Sequence, residues 1–244
     1  MGVMRTAGCM VRRAALAAVG LTLLAGCGGN GGAARDEGKG GGRTAGAPAG
    51  YTKTVPGVGA QLRARIPGGT RQVVAVYGKG ADSPDATMVL YTKAAKGWQR
   101  TASWPAHNGR KGWTTDHHEN DLRSPVGVFG LSDAGGVLPD PGAKLPYTHS
   151  AAFTPPPYWD KSTRHDFDHV IAVDYNRVKG TSPLDPTRPQ GQAKGGGIWL
   201  HLDHGSGTSG CVSISKAGMV SLLRTLDPKQ RPVVVMGDAA HLTA

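Results

Sequence analysis

From Gln72 onward the apolar positions come in short runs broken by glycine, proline, aspartate and asparagine. Gln72–Tyr77 is a β-branched apolar run, and Thr87–Thr92 and Gly97–Trp104 have strand character. The last two are joined by Lys93–Lys96, a connection of hairpin length. Val126–Leu131 and Val170–Tyr175 predict two further strands. In Gly197–Leu202, Ile198 and Leu200 alternate with Trp199 and His201, the two-residue period of a strand with unlike faces. Val233–Met236, after Pro232, predicts the last strand. One stretch has helical period: Met219, Leu222, Leu223 and Leu226 recur at i, i+3, i+4 and i+7, with Ser215 as cap and Pro228 as stop. That stripe reads as a core face. Many short strands with one clear helix predict a mainly β domain, a β-sandwich or partly closed barrel with a small helical addition. There is no internal repeat. Gly195–Gly197 lead into a strand and not a helix, which excludes a phosphate-binding loop.

The first fifty residues follow other rules. Met1–Arg13 carries Arg5, Arg12 and Arg13 and no acid, and Ala14–Ala25 is apolar but too short to span a bilayer. Leu24-Ala25-Gly26-Cys27 closes the segment. A basic start, a short apolar stretch and small residues at a cleavage point make residues 1–26 a secretory signal. The ending resembles the lipobox of bacterial lipoproteins, which implies a lipid on Cys27. Residues 27–50 then form a tether: ten of the 23 residues from Gly28 to Gly50 are glycine, with no aromatic, and such a stretch cannot bury enough apolar surface to offset its ordering entropy. Residues 51–244 remain as one domain with room for a real core. The expected location is the outer face of the cytoplasmic membrane or the cell wall, reached by export and held by lipid.

Charge adds little beyond this. The formal +11 falls to +8 once the three signal-segment arginines leave. A basic exported domain suits anionic wall polymers or headgroups better than nucleic acid, and no dense Lys/Arg run marks a polyanion site. Cysteine usage is more telling. Cys9 leaves with the signal, Cys27 carries the lipid, and Cys211 stands alone in the domain. A single cysteine there has no disulfide partner, so it is a small buried hydrophobe or a working thiol.

The segment from Gly195 to Ser215 sets that thiol in context. A strand delivers His201, and a glycine-rich loop returns the chain to Cys211 ten residues later. Thiol nucleophiles need this pairing, because a neighbouring imidazole can take the proton. Gly210 keeps the backbone open, so the N–H groups of Gly210 and Cys211 are candidates for an oxyanion site. On spacing alone a packed cysteine beside a turn histidine fits equally well.

The segment resembles the signature of the L,D-transpeptidase catalytic domain, the YkuD-like family. That family has a histidine at a strand end, then a Ser/Thr-His-Gly-Cys segment carrying the nucleophile. His201 and Thr208-Ser209-Gly210-Cys211 occupy the matching positions, with Ser209 where most members have histidine and with a shorter His-to-Cys gap. Arg123–Phe129 resembles the family's Thr-Pro-x-Gly-x-Phe strand start, and Asp174-Tyr175-Asn176 its strand before the site. The resemblance implies a fold of the L,D-transpeptidase type. It also implies a two-step acyl transfer on peptidoglycan stem peptides. Cys211 attacks an L-centre–D-Ala bond, His201 serves the departing amine, and a neighbouring stem's amine takes the acyl group in a 3→3 cross-link. Ser209 is expected at the oxyanion site, and Asp203 or a backbone carbonyl at His201. Thr208 and His204 are further candidates for holding substrate or orienting the site. No cofactor is called for, and the chain is expected to act as a monomer.

Other readings are an L,D-carboxypeptidase using the same thiol, a non-catalytic peptidoglycan-binding lipoprotein, and a zinc peptidase. The last has little support: His117-His118, His165/His169 and His201/His204 lack zinc-site spacing, and none lies in a His-Glu-x-x-His helix. His117 and His118 are expected on a solvated loop. Trp113 and Trp159 are expected in loops, with packing as their main role and a glycan contact as the lesser alternative, Trp199 in the core or cleft wall, and residues 155–169 as a candidate cover for the site.

Overall fold

The computed structural model describes residues 50–244, so the signal segment, Cys27 and nearly all of the tether lie outside the described residues. The chain runs through α1 (Ala60–Arg65), β1 (Gln72–Gly78), β2 (Asp85–Ala94), β3 (Gly97–His107), β4 (Trp113–Thr114), β5 (Ser124–Pro125), β6 (Gly127–Gly136) and β7 (Tyr147–His149). It continues through β8 (Val170–Val173), β9 (Trp199–Leu202), β10 (Val212–Ile214), α2 (Lys216–Thr225), β11 (Val233–Asp238) and α3 (Ala239–Thr243). The strand order β11-β1-β2-β3-β10-β9-β8-β6 closes on itself, because β11 pairs with β1 in parallel and with β6 antiparallel; β7 adds to β6. The result is a closed eight-stranded barrel, mainly β as expected, with the edges of the sheet removed by closure.

Burial explains why several strands read as continuous apolar runs. In β1, Val74 and Val76 enter the barrel core while Val73 and Ala75 enter a second cluster outside it. β11 divides its residues the same way, with Val234 and Met236 inside and Val233 and Val235 outside. The outer cluster is completed by Leu62 of α1 and Leu242 of α3, two short helices that the sequence pattern did not reveal. Ala94 pairs with Gly97, so the β2–β3 turn has only two residues, tighter than the connection read from the sequence. Gly97 takes φ +126°, which a side chain would oppose.

The helix of the sequence pattern is α2. Ser215 Oγ accepts from Gly218 N–H at 3.3 Å, and Met219, Leu222 and Leu223 are buried in the cluster that holds Leu200 and Leu202 of β9. The helix thereby backs the strand pair β9–β10 that carries the candidate nucleophile. A buried charge network steadies the far side: Arg177 Nη1 meets Asp133 Oδ2 at 2.9 Å and Asp174 Oδ1 at 2.7 Å.

Candidate active site

β9 and β10 run parallel, with Val212 opposite Leu200 and Ser213 opposite His201. Cys211 precedes β10, abreast of Trp199. Alternation puts Cys211 on the same side of the strand pair as His201, while Leu200 and Val212 point into the core. Cys211 Sγ accepts from Trp199 N–H at 3.4 Å and faces the Gly197 carbonyl oxygen at 3.6 Å. His201 is 2% exposed and its Nδ1 lies 2.7 Å from the Leu202 carbonyl oxygen. A carbonyl only accepts, so Nδ1 carries the proton and Nε2 is left as the basic nitrogen.

The loop before Cys211 is fixed from three directions. Thr208 Oγ1 accepts from Gly210 N–H at 3.1 Å and donates to the Cys211 carbonyl oxygen at 2.7 Å. Ser124 Oγ donates to the Gly210 carbonyl oxygen at 2.7 Å and accepts from Gly109 N–H at 2.9 Å. Gly210 itself has φ +141°, and a Cβ there would press on the Arg123 carbonyl oxygen at 3.0 Å. Because Gly210 N–H is taken up by Thr208, the Cys211 N–H is the candidate oxyanion donor that remains. Ser209 is exposed; its Oγ accepts from Arg110 Nη2 at 3.4 Å, so its only contact of this kind is at the rim.

The remaining sequence candidates lie close by in other roles. Asp203 Oδ1 accepts from Ser213 Oγ at 2.8 Å and meets His107 Nδ1 at 2.7 Å, so the group at His201 Nδ1 is the Leu202 carbonyl and not Asp203. Burial pulls the Asp203 carboxyl upward, but the hydrogen bonds from His107 and Ser213 outweigh it and hold it below the usual range. His204 Nδ1 lies 3.0 Å from Asp166 Oδ2, a carboxylate raised by burial.

Phe153, Asp166 and Phe167 bring the segment between β7 and β8 against this centre. The Phe167 ring meets His201 at 5.3 Å and Trp199 at 5.1 Å, edge to face, and Phe153 meets Trp199 at 5.7 Å. Leu202 N–H donates to the Asp166 carbonyl oxygen at 2.9 Å, which ties this segment to β9. Trp159 packs on Phe167 and stays 44% exposed. Trp199 is half-buried, a wall of the cleft. Trp113 is buried in the barrel core, the packing role favoured for it. His117 is a correction, since only His118 is solvated; His117 is buried against the Tyr175 ring, with Nδ1 3.0 Å from Asp121 Oδ1.

Burial dominates the electrostatics. The His201 imidazolium is disfavoured and its pKa falls to about 4, while the Cys211 thiol is pushed up to about 11. Asp166 nearby raises the thiol further, and the Trp199 N–H opposes the shift. Both groups are neutral at neutral pH. The resting site therefore holds a neutral thiol and a neutral base on one side of the strand pair, in contrast to the ion pair that a short His–Cys spacing suggests. Ser124, Phe167 and the Leu202 carbonyl were not singled out in the sequence. Ser124 lay within a recognised motif, but no local signal marked the other two.

The family model of the YkuD L,D-transpeptidase catalytic domain matches residues 81–235, more than half of the chain, from just before β2 into β11. The chain belongs to the YkuD L,D-transpeptidase catalytic-domain family. The solved structure of Bdellovibrio bacteriovorus Bd1075 is similar over 68% of this chain and 48% of that chain, at 15% identity and a TM-score of 0.38. This chain thus spans about half the length of that protein. No curated protein matches it.

Proposed function

We propose that the protein is a cell-wall L,D-transpeptidase with Cys211 as nucleophile and His201 as its base. The observation that carries this reading is the pairing of β9 with β10. It sets the thiol and the imidazole on one side of two adjacent strands, with Nδ1 spent on Leu202 and Nε2 left to take a proton. A neutral pair suits a concerted step. As Sγ attacks the carbonyl carbon of the L-centre–D-Ala bond, its proton passes to His201 Nε2, and the Cys211 N–H faces the developing oxyanion. The C–N bond then breaks and the imidazolium returns that proton to the leaving D-Ala amine. A side-chain amine of a second stem attacks the thioester, giving its proton to His201, and the thiolate leaves and is reprotonated. Water in place of the amine makes the same site an L,D-carboxypeptidase.

The domain's place in the cell follows from its first fifty residues. We infer export, cleavage before Cys27, lipidation of that cysteine and action at the outer face of the cytoplasmic membrane, with residues 27–50 as the tether. Nothing in this scheme requires nucleic acid or a second subunit.

The test is release of D-Ala and formation of a cross-linked dimer from stem tetrapeptides, followed by mass spectrometry. A covalent acyl adduct on Cys211, absent in Cys211→Ala, is the expected result. Turnover that survives Cys211→Ala, or that is lost only on chelation, would overturn the reading. Specific binding of tetrapeptide without any adduct would favour a binding protein.

A further inference from the structure

One cation beside Gly197, the residue that contacts the thiol, has no carboxylate partner among the described residues. Arg188 lies in the loop between β8 and β9. Its Nε is buried without a hydrogen-bond partner, and no carboxylate pairs with its guanidinium among the described residues. This contrasts with Arg177, whose guanidinium is shared by two aspartates, and Arg123, which meets Asp82 at 2.8 Å. Burying part of a guanidinium with nothing to accept from it is costly, so such groups call for an explanation.

The surroundings give one. Arg188 lies along the triple glycine that leads into β9. A Cβ at Gly196 would collide with its Nε, Cδ and Cζ, and a Cβ at Gly197 would stand 3.4 Å from Nη2. Gly197 is the residue whose carbonyl oxygen faces Cys211 Sγ at 3.6 Å. Glycine at 196 thus leaves room for the guanidinium one residue away from the thiol's own contact. The loop is held in advance: Gly191 N–H donates to the Arg188 carbonyl oxygen at 2.9 Å, and Gln190 N–H to Asn176 Oδ1 at 2.7 Å. Tyr175 OH fixes the Lys194 carbonyl oxygen at 2.9 Å on the other flank. The groups that shift the Cys211 thiol are burial, the Trp199 N–H and Asp166.

We propose that Arg188 is a specificity-determining residue that binds a carboxylate of the acyl-donor stem peptide and so holds the scissile carbonyl at Cys211. This rests on the transpeptidase reading and names the donor as an anionic peptide. A guanidinium fork suits a carboxylate, and a donor of this kind has two: the α-carboxylate of the leaving D-Ala and that on the diamino residue. Either lies within a residue or so of the scissile bond, the span over which Arg188 and Cys211 are separated along Gly196–Gly197.

The experiment measures D-Ala release by the full chain from a stem tetrapeptide and from its two singly amidated forms, with Arg188→Gln and Arg188→Lys alongside. Arg188→Gln is expected to raise KM for the free acid roughly tenfold to a hundredfold with kcat little changed, the mark of lost binding. Arg188→Lys should recover part of that loss. Amidating the recognised carboxylate should cost the parent a similar factor and cost Arg188→Gln nothing more, and whichever amide does so identifies the carboxylate. Equal losses on free and amidated donors, or no loss, would overturn the proposal while leaving the transpeptidase reading intact. A parent enzyme that releases no D-Ala from any donor would overturn both.

Discussion

His201 Nδ1 lies 2.7 Å from the carbonyl oxygen of Leu202, the next residue along β9. The orienting group is therefore a neighbour in sequence, held by the strand's own geometry, and no third side chain is needed to set the tautomer. Leu202 is itself fixed, since its N–H donates to the Asp166 carbonyl oxygen at 2.9 Å. Burial lowers the His201 pKa to about 4, against the opposing pull of the Leu202 carbonyl, which favours the protonated ring.

The first prediction concerns thiol reactivity. With Cys211 at about 11 and His201 at about 4, both groups are neutral over the range between. A raised thiol pKa disfavours the thiolate, so reactivity is lost as pH falls below that value. Alkylation of Cys211 by iodoacetamide is expected to rise about tenfold per pH unit from about pH 5 to 9, without a plateau. A plateau in that range would reveal a preformed thiolate–imidazolium pair.

His201→Asn removes the basic Nε2 and leaves the strand. The rate of D-Ala release should fall by about 10²–10⁴-fold. Circular dichroism and thermal melting are the controls that separate this from unfolding. Adduct formation with a carbapenem should slow in parallel.

Thr208→Val keeps the shape of the side chain but leaves Gly210 N–H without its partner and the Cys211 carbonyl oxygen with only the longer bond from Ser124 Oγ, at 3.2 Å. A stability loss of roughly 1–3 kcal/mol by urea denaturation is expected, together with a lower kcat. Ser124→Ala strips Gly109 N–H and the Gly210 carbonyl oxygen of the same hydroxyl. It should act in the same direction.

Arg177→Met tests the buried network on the far side. Asp133 and Asp174 would be left as buried carboxylates, with side-chain exposures of 5% and 2%. Breaking such a network costs about 3–5 kcal/mol. The midpoint of chemical unfolding should shift accordingly. Replacing Asp133 and Asp174 by Asn as well should recover part of the loss, because the repulsive charges go with the guanidinium.

Local sequence signals were sufficient for much of the fold. Alternation in Gly197–Leu202, the Met219–Leu226 stripe and the β-branched runs each report a periodicity set by the chain's own backbone geometry, and each became the expected element. A lone cysteine and a strand-borne histidine were legible as a candidate pair for the same reason: glycines over ten residues leave few ways to go but back. Closure of the barrel through β6 and β11, the short helices α1 and α3, and the three-residue β10 were not legible, because they form only against partners far away in the chain.

The site divides along the same line. By itself the sequence singled out the candidates for the chemistry, since a thiol, an imidazole and a flexible return between them are properties of residue type and order. Only the tertiary structure decided their state. Phe167 and the core behind Leu200 desolvate His201 and Cys211, and removing water penalises the charged forms, so both stay neutral. Asp203, adjacent in sequence, turns to His107 and Ser213, while Arg188, distant in sequence, comes to lie against Gly196. Burial and long-range hydrogen bonding belong to the folded chain and have no local signature.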